Sequence, residues 1–217
     1  MLNQIVPIIM TDSVGEVEQK VAQLRQWQVK RVVLDILDGV FADNITVGVD
    51  DLREIDFGDM LLELQLMVEE PVDYLGEIHN LQAKQKRVYG HIERMGNLDE
   101  FIDLGRELGI QVGWALDLYT PLDDLQPQHL LKADGILLMS VKAGFSGQVF
   151  NSLVLDKIKA LRAMGFAQDI EVDGGVNDTT IPLCLDSGAN LMAVNSAIWQ
   201  FQNPEQAYYR LKAMVGN

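Results

Sequence analysis

The fold is decided by the stretch Glu171-Val172-Asp173-Gly174-Gly175-Val176, an apolar-edged strand that ends in one acid and two glycines. Two further stretches have the same design. Gly144-Phe145-Ser146-Gly147-Gln148 follows an apolar run at residues 136–141, and Val194-Asn195-Ser196-Ala197 follows another at 191–193. Small residues let backbone N–H groups approach an anion closely, and a helix N-terminus adds a favourable dipole. Three such strand ends in succession predict a phosphate cradle with the carboxylate of Asp173 beside it.

The residues that we expect to bind this phosphate are the small and polar ones at the three strand ends. They are Gly144, Ser146, Gly147, Gly174, Gly175, Asn195 and Ser196.

The bulk composition limits the classes of protein to which this chain can belong. Its 217 residues are 48% hydrophobic, enough for one substantial core. The formal net charge of −15 argues against nucleic acid and anionic membranes as partners, but backbone dipoles still allow a small phosphorylated ligand. Cys184 is the single cysteine, so there is no disulfide framework and we expect a cytoplasmic protein. No apolar run approaches the roughly 18 residues that span a bilayer.

Short apolar runs alternate with segments of helical periodicity along the whole chain. Strands are predicted at residues 5–10, 31–37, 61–67, 87–92, 111–116, 136–141, 170–172 and 191–194. Helices are predicted at residues 14–27, 99–108, 153–164 and 205–215. Such alternation implies parallel strands with right-handed crossovers, and about eight units match a single (β/α)₈ TIM barrel over residues 1–217. The alternative is an open doubly wound sheet, but the first turn has no Gly-x-Gly-x-x-Gly fingerprint.

A barrel of this kind carries its active site at the carboxyl ends of the strands. Polar residues at the predicted strand ends are therefore further candidates for the site. They are Thr11, Asp35, Asp38, Gln65, His91, Glu93, Asp117 and Lys142. Of these, we interpret Asp38 as the residue that forms the Asp-Gly turn, and His91 with Glu93 as a structural pair.

Several of these motifs resemble those of ribulose-phosphate 3-epimerases. The run Asp35-Ile36-Leu37-Asp38-Gly39-Val40-Phe41, followed by Asn44-Ile45-Thr46-Val47-Gly48, is similar to the second-strand motif of that family. Residues 66–71, 91–93 and 113–121 resemble its third, fourth and fifth strands, and residues 139–150 and 172–177 its sixth and seventh. The similarity runs in register over nearly the whole chain, and it implies the same barrel.

The resemblance also implies a reaction. The family inverts the configuration of the carbon next to the ketone of a sugar phosphate. One carboxylate removes a proton from this carbon, and a second returns a proton to the opposite face. By this resemblance Asp35 and Asp173 are the acid/base pair. In the family a divalent metal, held by two histidines and the two aspartates, stabilises the enediolate that forms between the two steps.

This chain departs from the family at both histidine positions. They are occupied by Val33, which has no donor atom, and by Gln65, which offers only a neutral amide oxygen. Only Asp35 and Asp173 remain of the family's ligand set, so we expect no certain cofactor, with a weakly held divalent metal as the alternative. Thr11, Gln65 and Lys142 are then candidates for accessory roles.

Lys142 stands, with Ala143, where the family usually has Asn-Pro. Three interpretations are open. It is a solvated loop lysine, a cation that stabilises the enediolate in place of the metal, or a nucleophile that forms a Schiff base with a ketone.

These observations predict a ketose-phosphate epimerase or isomerase that uses two aspartates. The alternatives are a Schiff-base lyase or aldolase working through Lys142, and a catalytically silent phosphosugar-binding protein. The expected partner is a small phosphorylated sugar rather than nucleic acid or a membrane, and we expect a homo-oligomer.

Overall fold

Eight parallel strands, pairing in sequence order, close into a barrel within the part of the chain that the computed structural model describes, residues 2–216. Met1 and Asn217, the two ends of the predicted domain, lie outside the described residues. The closed barrel confirms the (β/α)₈ prediction, and the alternative of an open doubly wound sheet is wrong.

The strands lie where the apolar runs predict them. They are β1 Gln4–Ile9, β2 Arg31–Leu37, β3 Leu61–Met67, β4 Gln85–His91, β5 Gln111–Leu116, β6 Gly135–Met139, β7 Asp169–Asp173 and β8 Leu191–Val194. The predicted bounds of β2, β3, β5 and β8 are confirmed, and those of the other four are wrong by one or two residues. At the end of β4 the reason is local, because Ile92 already belongs to a 3₁₀ turn at Ile92–Arg94.

The helices divide into long ones that the sequence predicts and short ones that it misses. They are α1 Val14–Gln26, α2 Leu75–His79, α3 Leu98–Glu107, α4 Pro127–Lys132, α5 Leu153–Ala163, α6 Ile181–Ser187, α7 Ser196–Trp199 and α8 Pro204–Met214. The predictions for α1, α3, α5 and α8 are confirmed to within one residue at either end. The other four have at most seven residues, too few to show a 3.6-residue period.

The chain forms two compact units. One, the β2–β4 unit, comprises Ile8–Gly113, and the other, the β6–β8 unit, comprises the described parts of Met1–Pro7 and Trp114–Asn217.

In the β2–β4 unit, the strand register decides which side chains share a face. Asp35 is the register partner of Gln65, which in turn pairs with Tyr89. The opposite face of β4 packs on a helix, because a Cβ added to Gly90 would lie 2.8 Å from the Phe101 ring of α3. Since side chains alternate along a strand, Asp35, Gln65 and Tyr89 lie on the inner face of the barrel.

A buried ionic cluster also lies on the inner face of the β2–β4 unit. Glu63 Oε1 is 3.0 Å from Arg31 Nη1 and 3.3 Å from Arg87 Nη1. Arg87 Nη1 also donates to the Tyr89 hydroxyl at 3.2 Å. This cluster was not predicted, although charged residues inside the apolar runs of β2 and β3 are a signal for it. A carboxylate with no exposed surface needs such partners to offset its lost hydration.

In the β6–β8 unit, β7 lies between β6 and β8, with Met139 opposite Asp173 and Val172 opposite Met192. Cys184 of α6 is buried, and desolvation raises the pKa of its thiol to about 12. Across residues 2–216, none of the helices combines the length and the apolar character needed to cross a membrane.

Candidate active site

Asp35 lies within β2, and its side chain is only 5% exposed. Thr46, in the loop after β2, bonds to the backbone of this strand. Its hydroxyl donates to the Asp35 carbonyl at 2.7 Å and accepts the Leu37 N–H at 2.9 Å. These two bonds hold Thr46 against the last three residues of β2. Thr46 belongs to the stretch that resembles the family's second-strand motif, but no role was predicted for it. The sequence signal for such a role is a hydroxyl residue between two apolar residues, Ile45 and Val47, directly after a turn.

Asp38 forms the turn after β2, as predicted. Its Oδ1 accepts the N–H groups of Val40 and Phe41 at 2.8 and 2.9 Å, and its Oδ2 accepts that of Glu69 at 2.7 Å. Partial burial acts to raise the pKa of Asp38. The backbone N–H bonds outweigh that effect, and the pKa lies below its ordinary value.

Gln65 and His91 meet on the inner face of the β2–β4 unit. Gln65 Nε2 lies 3.1 Å from His91 Nε2, and both side chains are fully buried. On the other side of the ring, His91 Nδ1 lies 3.4 Å from Glu93 Oε2. His91 and Glu93 therefore lie next to each other as expected, with Glu93 in the 3₁₀ turn after β4, and their role as a structural pair stays a prediction.

Thr11 follows β1 by two residues and bonds within its own loop. Its hydroxyl donates to Glu16 Oε2 at 2.6 Å and accepts the Ser13 N–H at 3.2 Å. These contacts organise the start of α1, and the accessory role expected for Thr11 stays a prediction.

In the β6–β8 unit, Asp173 is the last residue of β7 and is 9% exposed. The backbone around it is bound to the end of β6, because the Ser140 N–H donates to the Asp173 carbonyl at 2.7 Å and the Ser140 hydroxyl donates to the Gly174 carbonyl. The loops after β6 and β7 are thereby held together at their roots.

The glycines of these two loops adopt backbone conformations that other residues rarely adopt. Gly174 and Gly175 have φ of +104° and +60°, and Gly144 and Gly147 have φ of +113° and +79°. At Gly175 the space is also restricted, since an added Cβ would lie 2.5 Å from the Phe150 nitrogen. A residue without a side chain is thus required for the close approach of the two loops.

The remaining residues of the predicted cradle belong to the same unit. Ser146 is exposed, and Asn195 and Ser196 are half-buried after β8. Asn195 precedes α7, and its carbonyl accepts the N–H groups of Ile198 and Trp199 at 3.0 Å. All seven predicted residues therefore follow β6, β7 or β8 within one compact unit, and phosphate binding there stays a prediction.

Lys142 lies three residues beyond β6 with its side chain exposed. Its carbonyl accepts the Gln148 side-chain amide at 2.7 Å, and the next residue, Ala143, donates its N–H to Asp117 Oδ1 at 3.2 Å. A lysine becomes a nucleophile towards ketones through desolvation or a neighbouring cation, and exposure does not provide the first of these. The environment of Lys142 fits the solvated-loop interpretation best.

The donor atoms of this chain do not fit the metal site that the family resemblance implies. Val33 has no donor, and the amide nitrogen of Gln65 is turned towards His91. Among residues 2–216, no group of three or more His, Cys, Asp or Glu side chains is arranged to hold a metal ion. Amide and carboxylate oxygens also lack the imidazole character that such a site prefers.

The family model and the relatives that match this chain indicate the same family. The model of the ribulose-phosphate 3 epimerase family matches residues 4–199. The chain is 31% identical to ribulose-phosphate 3-epimerase of Bacillus subtilis (strain 168), covering 96% of this chain and 98% of the relative. It is 32% identical to the Synechocystis enzyme of the same name, covering 94% and 90%. A solved 3-hexulose-6-phosphate synthase superposes with a TM-score of 0.71 at 15% identity, covering 97% and 98%, which shows the shared fold alone. The chain belongs to the ribulose-phosphate 3-epimerase family.

Proposed function

We propose that this protein epimerises or isomerises a ketose phosphate with Asp35 and Asp173 as its acid/base pair. The observation that carries the proposal is the retention of both carboxylates, almost fully buried, on β2 and β7 of a barrel that belongs to this family. Buried carboxylates are costly to maintain, so their presence in two strands favours a chemical role.

In this proposal, one aspartate removes the proton from the carbon next to the ketone, and the electron pair of that C–H bond moves into an enediolate. The other aspartate returns a proton to the opposite face, which inverts the centre. Two groups are needed because a single base tends to return the proton to the face that it left. No step of the proposal passes through a metal, since Val33 and Gln65 supply no imidazole ligand, and a weakly held divalent metal stays the alternative.

The phosphate of the substrate is proposed to bind at the ends of β6, β7 and β8. Positive φ at the glycines of the two loops supports this, since that conformation lets consecutive N–H groups converge on an anion. Local N–H groups of this kind can hold a phosphate on a chain whose formal net charge is −15.

A second candidate is a catalytically silent phosphosugar-binding protein. Val33 and Gln65 favour it, because they remove the donors on which the family's enediolate stabilisation depends. The Schiff-base lyase remains a third candidate, but the exposure of Lys142 supports it less. The cytoplasmic location and the homo-oligomer stay predictions.

The test is incorporation of solvent deuterium at the carbon next to the ketone of ribulose 5-phosphate and other ketose phosphates. We expect incorporation by the wild type, loss with Asp35→Asn or Asp173→Asn, and retention with Asp186→Asn, an exposed control on α6. Calorimetric binding without exchange for any ketose phosphate would instead establish the silent binder. Borohydride trapping of substrate on wild type but not on Lys142→Met would establish the lyase.

A further inference from the structure

The position that carries a metal-binding histidine in the family carries in this chain an amide that contacts another histidine. Gln65 lies beside the proposed acid/base residue, since it is the register partner of Asp35 on the adjacent strand. Its Nε2 lies 3.1 Å from His91 Nε2, and neither side chain has exposed surface. An amide nitrogen only donates, so this contact is a hydrogen bond when His91 Nε2 carries no proton.

Glu93 decides where the His91 proton resides. Its Oε2 lies 3.4 Å from His91 Nδ1 without the geometry of a hydrogen bond, so it acts through its negative charge, which favours a proton on the nitrogen that faces it. A neutral imidazole with its proton on Nδ1 has a lone pair on Nε2. With this proton placement, His91 Nε2 is a hydrogen-bond acceptor. Only the orientation of the Gln65 amide that directs its Nε2 towards His91 then allows a hydrogen bond.

The ring of His91 is held in place by its neighbours. The Phe41 ring, from the loop after β2, lies 4.8 Å from the His91 ring, centroid to centroid. Arg94 covers Phe41 in turn, with its Cζ 5.5 Å from the ring centroid, and pairs with Glu69 at 3.1 Å. Rotation of the imidazole, which would exchange its two nitrogens, has to displace this packing.

We propose that His91 is a positioning residue, held as its Nδ1–H tautomer by Glu93, that fixes the amide of Gln65 beside Asp35. Gln65, which has no exposed surface, thereby presents a fixed, neutral amide on the strand beside Asp35 rather than a ligand of a metal. The catalytic part of this inference rests on the proposed function, whereas the tautomer and the amide orientation do not.

The structural part is tested by ¹⁵N NMR of the histidine rings at neutral pH. We expect His91 to show a protonated Nδ1 and an unprotonated Nε2, with its signals assigned by their absence in His91→Phe. In Glu93→Gln we expect a fraction of His91 protonated on Nε2 and a shift of the Gln65 side-chain amide signal. A wild-type His91 protonated on Nε2, or a tautomer unaffected by Glu93→Gln, would overturn the inference.

The catalytic part is tested with the deuterium-exchange assay. Phenylalanine keeps a ring against Phe41 but has no acceptor, so His91→Phe should lower kcat about 10-fold, as loss of an orienting partner does at other sites, with little change in KM. Glu93→Gln should also lower kcat. This second variant still tests the inference if His91→Phe does not fold. The control is His79→Phe, at an exposed histidine of α2.

The two proposals fail in different ways. Unchanged kcat in both variants, beside an active wild type, would reject the positioning role and leave the epimerase intact. A wild type without exchange for any ketose phosphate, but with the expected tautomer, would reject the epimerase and leave the amide orientation standing.

Discussion

Asp38 Oδ2 accepts the backbone N–H of Glu69 at 2.7 Å, and this bond fastens the loop after β2 to the chain that leaves β3. The two residues are 31 positions apart, and the same carboxylate also closes its own turn through Val40 and Phe41. Asp38 thus holds together two loops that begin at the strands carrying Asp35 and Gln65.

The first prediction concerns the pH dependence of this contact. The native pKa of Asp38 lies below its ordinary value of 3.8, so its contribution to stability is present above about pH 4 and is lost as pH falls through the native pKa. Asp38→Asn should therefore destabilise the protein by about 1 kcal/mol at pH 7 and by less at pH 3. Urea unfolding of both proteins at the two pH values measures this, and an equal difference at both would contradict it.

The second prediction concerns the approach of the loops after β6 and β7. Gly175→Ala should lower the free energy of unfolding by about 3 kcal/mol, for two reasons. The new Cβ would lie 2.5 Å from the Phe150 nitrogen, and alanine would have to adopt a φ of +60°. Gly109→Ala is the matched control, since it has φ +70° but open space around the new Cβ, and should cost about 1 kcal/mol.

The same pair of variants tests the phosphate cradle. Calorimetry with ribulose 5-phosphate, carried out where both variants remain folded, should show weakened binding for Gly175→Ala and unchanged binding for Gly109→Ala. Equal affinity in the two would argue that the phosphate lies elsewhere.

The third prediction concerns the ionic cluster inside the β2–β4 unit. Glu63 bonds both Arg31 and Arg87, so Glu63→Gln removes a carboxylate that two largely buried cations share. We expect a loss of about 3 kcal/mol in the free energy of unfolding. Asp59→Asn, which breaks the exposed pair with Lys84, should leave the urea midpoint unchanged. Similar small effects in both variants would show that the buried cluster does not stabilise the fold.

The fourth prediction concerns metal content. Elemental analysis of the purified protein should find zinc, iron, manganese and cobalt well below one ion per chain, because Val33 and Gln65 do not supply imidazole ligands. The matched variant Val33→His/Gln65→His should bind more metal than the wild type in the same preparation. A wild type with stoichiometric metal that is lost in Asp35→Asn and Asp173→Asn would overturn this prediction.

Much of the fold could be predicted because its signals are local. The apolar runs have the length of strands, and they predicted β2, β3, β5 and β8 at their observed bounds. Helices α2, α4, α6 and α7 were not predicted, because tertiary packing rather than an internal period forms elements of this length.

The candidate site was predicted unevenly, for a related reason. The acid of a strand end, such as Asp173, and glycines such as Gly174 and Gly175 can be recognised from sequence because turn chemistry and positive φ require particular residue types. The environment of Lys142 could not be recognised, since exposure depends on everything that packs around a loop.

The sequence by itself determined the order of the strands, the acids and glycines at their ends, and the absence of both family histidines. Only the tertiary structure decided which polar side chains meet: Gln65 with His91 over 26 residues, and Glu63 with Arg31 over 32. The physical reason is the strand register. A slip of one residue turns every side chain of a strand to its other face, so each of these contacts exists only after the sheet has paired.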